Sequence, residues 1–365
     1  MASKTSKAVI QRLRGAAGEV VKTIQKGKNP SIGIPLRTLA NVKWNEKRFI
    51  IEMGNAKQER FFFNVSMAKK FMQTFLVASS CQDLIESQKS ASIRELFYMT
   101  KRSVADTKEN TFEEQDESDE IIEDVEVAVN ALREELNLKA AKKGSLVGDI
   151  TIVDKGDTID ARRMGSGGWA IPSIVEPEII QFRKCDAKFV LLVEKDALWE
   201  RLNEDKFWQK HKCILLTGNG QPPRGIRRLL NRFVTELKLP VYVFVDNDPW
   251  GYYIYSVVKQ GSINLAYESI RMAVPQAKFI GLSSYDRESY PFLDEVDIKL
   301  EEQDISRAKQ ILEYPWFQKK EWQREIRNML KTGVKFELEA LAKKRISFVS
   351  EEYLPKKIKD KDFLD

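Results

Sequence analysis

Lys188-Phe-Val-Leu-Leu-Val193 is an unbroken apolar run closed by Glu194. A strand of that composition has no polar face to offer water, so both faces must be covered, as in the parallel sheets of α/β folds. Helical spacing follows at Ala197–Trp208, then a short apolar strand at Cys213–Leu216. After a Gly/Pro-rich loop at Gly218–Gly225 come a helix at Ile226–Leu237, a third strand at Val241–Val245 and a fourth at Lys278–Leu282. Strands alternating with helices in this way specify a mainly parallel sheet with right-handed crossovers. Beyond about residue 300 the chain reads as helical and charged, with Trp316 and Trp322 as packing anchors.

The N-terminal part has a different grammar. A basic helix from Ala8 to about Lys26 is stopped by Gly27 and Asn29-Pro30. Short apolar runs over Val42–Phe63 predict a small β-rich patch, and a helix follows at Met67–Ala78. Ser92 and Glu95 have the spacing of a capping box, in which each side chain satisfies a free amide at a helix start. In that helix Ile93, Leu96, Phe97 and Thr100 form the inward face, while Arg94, Tyr98 and Arg102 share a more polar one. Nine acids and no base lie between Glu113 and Glu126, which reads as a solvated linker or helix start. A helix at Val125–Lys142 and a hairpin at Thr151–Val153 and Thr158–Asp160 complete a winged-helix-like unit over residues 65–160. The expected division is 1–64, 65–160 and 161–365.

Composition removes whole classes of chemistry. Hydrophobic residues at 42% and charged residues at 31% fit a globular chain. No apolar run approaches the ~20 residues of a bilayer span, and the start lacks a signal-peptide core, so no membrane association and a cytoplasmic location are expected. A single histidine, His211, excludes most histidine metal sites and Ser-His-Asp hydrolysis. Three scattered cysteines support neither a disulfide framework nor a zinc site. A metal here must be a hard cation held by oxygen, with magnesium first. The net charge of +6 is modest, but basic stretches at the N-terminus and around Arg224–Arg232 are compatible with nucleic acid.

Glu194 follows the first buried strand, and Asp246 and Asp248 follow the third. Ligands of open α/β sheets bind beyond the carboxyl ends of the strands, so these acids can converge there. Unpaired carboxylates repel, and such a cluster calls for a divalent cation. Taken alone, Asp-x-Asp before Pro249 is more readily a helix cap. An EF-hand is excluded because the twelfth position from Asp246 is Val257. Gly165–Ala170 lacks the strand and helix of a dinucleotide fingerprint, and Gly218–Gly225 lacks the ending of a P-loop.

With Asp246-x-Asp248-Pro-x-Gly251 two strands after Glu194, the chain resembles the Toprim fold of topoisomerases, bacterial-type primases and some nucleases. Ile93-Arg-Glu-Leu-Phe-Tyr98 resembles the active-site helix of the A subunit of topoisomerase VI, whose eukaryotic relative makes meiotic double-strand breaks. Gly167–Pro172, Phe336–Leu341 and Tyr353–Ile358 are also similar to that family. The likeness runs from about Gly33 to Ile358. It departs where Phe97 replaces a tyrosine often found beside the nucleophile, and where Gly218-Asn-Gly-Gln-Pro-Pro223 lacks a lysine and a tyrosine.

The resemblance implies a winged-helix-like DNA-binding domain followed by a Toprim domain with a helical extension. It implies Tyr98 as nucleophile with Arg94 beside it, Mg2+ on Glu194, Asp246 and Asp248, and DNA contacts from Lys101, Arg102 and Arg227. The implied partners are double-stranded DNA, a second copy of the same chain and a separate ATPase, the B subunit, in an A2B2 assembly. Residues 1–64 would touch that ATPase. The implied setting is the nucleoid of an archaeal-type cell. A Toprim nuclease or primase-like enzyme, and a non-catalytic DNA-binding module, are the other function classes open to this sequence.

Overall fold

The computed structural model describes residues 4–365. They form two compact units, 4–41 with 53–141 and 42–52 with 142–365. In chain order the elements begin with helix α1 (Lys4–Gln25) and strand β1 (Ser31–Pro35). The hairpin of β2 (Val42–Asn45) and β3 (Ile50–Met53) comes next, then β4 (Lys57–Phe61), α2 (Val65–Glu86), β5 (Ala91–Ser92), α3 (Ile93–Thr100), α4 (Gln115–Ala128) and β6 (Leu138–Lys139).

The first unit is helical around an apolar core that includes Val9, Val77, Leu96, Phe112, Ile122 and Leu136. β1 and β4 pair antiparallel beside it. The acidic stretch is no linker: it is α4, whose Ile121, Ile122 and Val125 face the core. Asp124 and Glu126 are buried with them, and their charges are met by arginines outside the stretch. Asp124 takes Arg60 and Arg37, and Glu126 takes Arg133 at 2.9 Å. The helix expected over Val125–Lys142 stops at Ala128, where turns around the left-handed residues Asn130 and Asn137 lead into β6.

The second unit opens with β7 (Ser145–Gly148), β8 (Ile150–Asp154), β9 (Asp157–Asp160), β10 (Trp169–Ala170) and β11 (Ile180–Cys185). The expected hairpin forms as β8 and β9, but it joins β11 in a three-stranded sheet of this unit. It therefore does not complete a winged-helix unit with α2–α4. The remaining elements are β12 (Phe189–Val193), α5 (Asp196–Glu204), α6 (Phe207–His211), β13 (Cys213–Thr217), α7 (Arg224–Leu237), β14 (Val241–Phe244), α8 (Pro249–Lys259) and β15 (Lys278–Gly281). The predicted single helix over Ala197–Trp208 is broken because Lys206 turns left-handed at φ +54°.

A six-stranded sheet runs β10-β7-β13-β12-β14-β15, with β13, β12, β14 and β15 parallel and β7 and β10 antiparallel at one edge. Every residue of β12 and β13 is buried, as an apolar run without alternation requires. Trp316 and Trp322 are buried as expected, and Trp322 stacks on Tyr255 with ring centroids 5.3 Å apart.

Asp124→Ala tests how far the first unit depends on its buried ion pairs. Removing one partner of a buried pair strands the other charge and costs about 3 kcal/mol or more. Thermal unfolding of this variant should begin well below that of the parent chain, whereas Glu120→Ala, at an exposed position on the same helix, should shift it little.

Candidate active site

β12 and β14 are neighbours in register, Val193 beside Phe244. The acids that follow each strand are therefore side by side. The Asp246 amide donates to Glu194 Oε2 at 2.9 Å, and the Glu194 amide donates to the Phe244 carbonyl at 3.0 Å. The loop after β13 reaches the same edge, with the Gly220 amide on the Glu194 carbonyl at 2.8 Å. Asp248 caps α8, accepting from the Gly251 amide at 2.6 Å. The capping role that Asp-x-Asp alone suggests is thus real. Gly251 has to be glycine, since a Cβ there would lie 2.3 Å from the Asp246 carbonyl.

A second strip of chain clamps this turn. Asn247 and Phe336 exchange main-chain hydrogen bonds at 2.9 and 3.1 Å, and the Leu338 amide donates to Asp246 Oδ1 at 2.8 Å. Asn247 is fully buried and donates to the Tyr252 hydroxyl at 2.6 Å. The Phe336–Leu341 motif therefore acts by holding Asp246 and its turn.

Burial, reinforced by the neighbouring acids, pushes the Glu194 carboxyl up to about 7. Asp246 rises to about 6, again chiefly through burial, with the Leu338 amide and Lys195 opposing. Asp248 is raised by burial. Among the described residues no three acidic, histidine or cysteine side chains are gathered closely enough to hold a metal ion. Glu194 and Asp246 adjoin, but the full triad is not drawn together. The reason lies in what their oxygens already hold: main-chain amides, and the Lys195 ammonium 3.0 Å from Asp246 Oδ2. The donor set itself, three carboxylates under mutual repulsion, suits a hard divalent cation.

Tyr98 and Arg94 stand on α3 in the first unit. The capping box forms as its spacing predicts: the Glu95 amide donates to Ser92 Oγ at 3.1 Å and the Ser92 amide to Glu95 Oε2 at 2.6 Å. With Leu96, Phe97 and Thr100 turned inward, Arg94 and Tyr98 face outward, and Tyr98 is 62% exposed. Its ring meets Phe97 edge-on with centroids 5.1 Å apart. Arg102 is exposed, while Lys101 is half-buried, donating to the Glu113 carbonyl at 2.9 Å and lying over Phe97.

The basic stretch of α7 is not an open surface for nucleic acid. Arg227 is only 4% exposed, and burial with Arg224 nearby pushes its guanidinium down to about 10. Arg224 pairs with Glu268, Arg228 with Glu176 and Arg232 with Glu236. Arg227 thus lies inside the fold of this structure. Sequence reasoning also missed Lys195, Asn247 and the acids Glu337 and Glu339 beside Lys195. The signal for Lys195 was its place between Glu194 and the start of α5.

Known families match successive stretches. Residues 69–138 match the family described as type IIB DNA topoisomerase, and residues 142–186 the all-beta domain in DNA topoisomerase VI alpha subunit. Residues 189–358 match the Toprim domain shared by Spo11 and the A subunit of topoisomerase 6. The A subunit of type 2 DNA topoisomerase 6 from Pyrococcus abyssi is 43% identical over 362 residues, covering 96% of this chain and 94% of the relative. That of Sulfurisphaera tokodaii is 41% identical over 369 residues, covering 97% and 95%. The A subunit of DNA topoisomerase 6 from Arabidopsis thaliana is 34% identical over 347 residues, covering 95% and 79%. Likeness sustained through almost all of this chain, with the paired strand-end acids falling inside the matched Toprim stretch, is family membership: the chain belongs to the A subunits of topoisomerase VI, a type IIB DNA topoisomerase.

Proposed function

We propose that this chain cuts and rejoins double-stranded DNA by tyrosine transesterification, as the cleavage subunit of a type IIB topoisomerase. The observation that carries the reading is the pair Glu194 and Asp246, one half-buried and one buried carboxyl held at adjacent strand ends against their own repulsion. Tyr98 is the nucleophile. Its phenolic oxygen bonds to the phosphorus, the bond from phosphorus to the 3′ oxygen breaks, and a 5′-phosphotyrosyl link and a 3′-hydroxyl result. The phenol gives up its proton and the leaving oxygen gains one, and reversal reseals the strand. Arg94, one turn before Tyr98, holds the attacked phosphate and spreads its charge. Arg102 and Lys101 contact flanking DNA from the end of α3, so α2–α4, without the β8–β9 hairpin as their wing, form the DNA-facing helices of a winged-helix-like module.

Glu194, Asp246 and Asp248 hold magnesium in this reading. Their oxygen-only set fits it, and the ion supplies positive charge for phosphate and leaving oxygen. Strand passage requires a separate ATPase, the B subunit of the enzyme. Residues 1–64 supply its contact, a role supported by the exposed Phe62 and Phe63. The working assembly is A2B2, acting on nucleoid DNA in the cytoplasm of an archaeal-type cell. No helix among the described residues is long and apolar enough to cross a membrane.

Tyr98→Phe loses only a hydroxyl from an exposed ring, so stability should change by no more than about 0.5 kcal/mol. Cleavage and the protein–DNA adduct should fall to background in denaturant-trapped reactions with labelled 5′ ends. An adduct that persists places the nucleophile elsewhere. Free ends without adduct in the parent protein point to water as the attacking group.

The acids give a pH signature in the metal-free protein. Their folded pKa values lie above the unfolded ones, so their contribution to stability is complete below about pH 4. It is lost as pH rises through about 6 for Asp246 and about 7 for Glu194. With EDTA present, Glu194→Gln should be the more stable protein at pH 7.5 by a few kcal/mol, on the order of 1.4 per pKa unit. Near pH 4 the difference should vanish. Magnesium at pH 7.5 should raise the melting temperature of the parent chain more than that of the variant. Equal responses to magnesium would remove Glu194 from the metal site.

A double-strand break needs two tyrosines, which a C₂ dimer supplies with the symmetry of the duplex. We assign each site Tyr98 from one protomer and the acids from its partner. A purified heterodimer of Tyr98→Phe and Glu194→Ala chains should then nick DNA, because one site retains both parts. If each site lies within a single protomer, that heterodimer is inactive.

A further inference from the structure

Lys195 stands where local rules oppose a lysine. It is the N-cap of α5 and makes no side-chain capping bond. Good N-caps carry an oxygen that accepts from the free amides of the first turn, which an ammonium cannot do. A cation also meets the positive end of the helix dipole there. A residue that violates its local preference is held by something else, and here that is charge. The Lys195 Nζ lies 3.0 Å from Asp246 Oδ2, 3.4 Å from Glu339 and 3.8 Å from Glu337. These partners differ in kind. The Asp246 side chain is 6% exposed, whereas those of Glu339 and Glu337 are 45% and 54% exposed. The lysine bridges a buried acid of the catalytic edge and two solvated acids of the strip that clamps it.

We infer that Lys195 is a resident cation of the metal-free site, occupying Asp246 until a divalent ion takes that oxygen, and then kept by Glu337 and Glu339. This rests on the assignment of Glu194, Asp246 and Asp248 as metal ligands. It accounts for why these acids are not already gathered around a common point: one oxygen of Asp246 is taken by the ammonium and the other by the Leu338 amide. It also accounts for the position of Glu337 and Glu339. They alternate with Leu338, whose amide fixes Asp246, so one short strip both orients the ligand and provides the lysine with a place to stay. The ammonium thereby sets the affinity as a competitor at Asp246, not as a support for it.

The alternative is a static role in which Lys195 only orients Asp246 for the metal. The two make opposite predictions for Lys195→Met, which keeps the stem and removes the charge, with Lys195→Gln as a second variant should the first fold poorly. Mn2+ is the probe, and the signal of free Mn2+ in electron paramagnetic resonance reads binding to the full-length chain directly. Competition requires several-fold tighter Mn2+ binding by the charge-free variants. In EDTA they should melt below the parent chain, and Mn2+ should raise their melting temperature by more. Unchanged or weaker binding in a folded variant overturns the inference while leaving the metal site standing. If the parent chain binds no Mn2+ that Glu194→Ala abolishes, the metal assignment falls and this inference falls with it.

Discussion

Glu194 and Asp246 are close because β12 and β14 are adjacent parallel strands, and two carboxyls end up at one buried edge for that reason alone. Water would separate them; the sheet does not allow it. The surrounding structure answers this enforced repulsion. The Asp246 amide serves Glu194, the Leu338 amide serves Asp246, and α8 presents its N-terminus to Asp248. Even the far C-terminal part of the chain is bound to this need, since the 336–338 strip is docked main chain to main chain on Asn247. The apolar core of the sheet supplies the rigidity, so the strain of holding like charges together is borne by packing and not by the site.

The first unit solves the converse problem. Two acids of α4, Asp124 and Glu126, are buried, but each is met by arginine, and this fixes the helix that lies beside α2 and α3. α3 is only two turns long, so packing and its capping box must determine where its outward face points. Tyr98 is displayed on that face without a hydrogen bond to hold its hydroxyl among the described residues of its own unit. Tyr252, Tyr255 and Tyr353 stand in contrast, with hydroxyls that are buried and committed.

What could be read in the residues follows from how local each cause is. The strands were legible because apolar runs without alternation need cover on both faces, and α3 was legible because Ser92 and Glu95 are three apart. Glu194, Asp246 and Asp248 were legible as strand-end acids. The acidic stretch at Glu113–Glu126 was misread as solvated, since its partners Arg37, Arg60 and Arg133 lie outside the stretch and no local period announces them. The burial of Arg227 was not legible for a related reason: α7 is packed on most of its circumference, and the sequence does not say that Arg224 and Arg228 face Glu268 and Glu176. Lys195 was passed over because a lysine after a strand looks like a solvent-facing cap, and only the fold brings Glu337 and Glu339 to it.

The division of labour between the units has a physical reason. A tyrosine held permanently against three carboxylates would face rising repulsion as it lost its proton, and the acids would be deprived of the space that DNA and a cation require. Carrying Tyr98 on one compact unit and the strand-end acids on another lets each be built to full packing density without the other. Negative charge concentrated at the strand ends calls for a compensating cation. In the resting chain that compensation falls to Lys195, which is why a cation at the acidic edge sits at a helix start that would otherwise reject it.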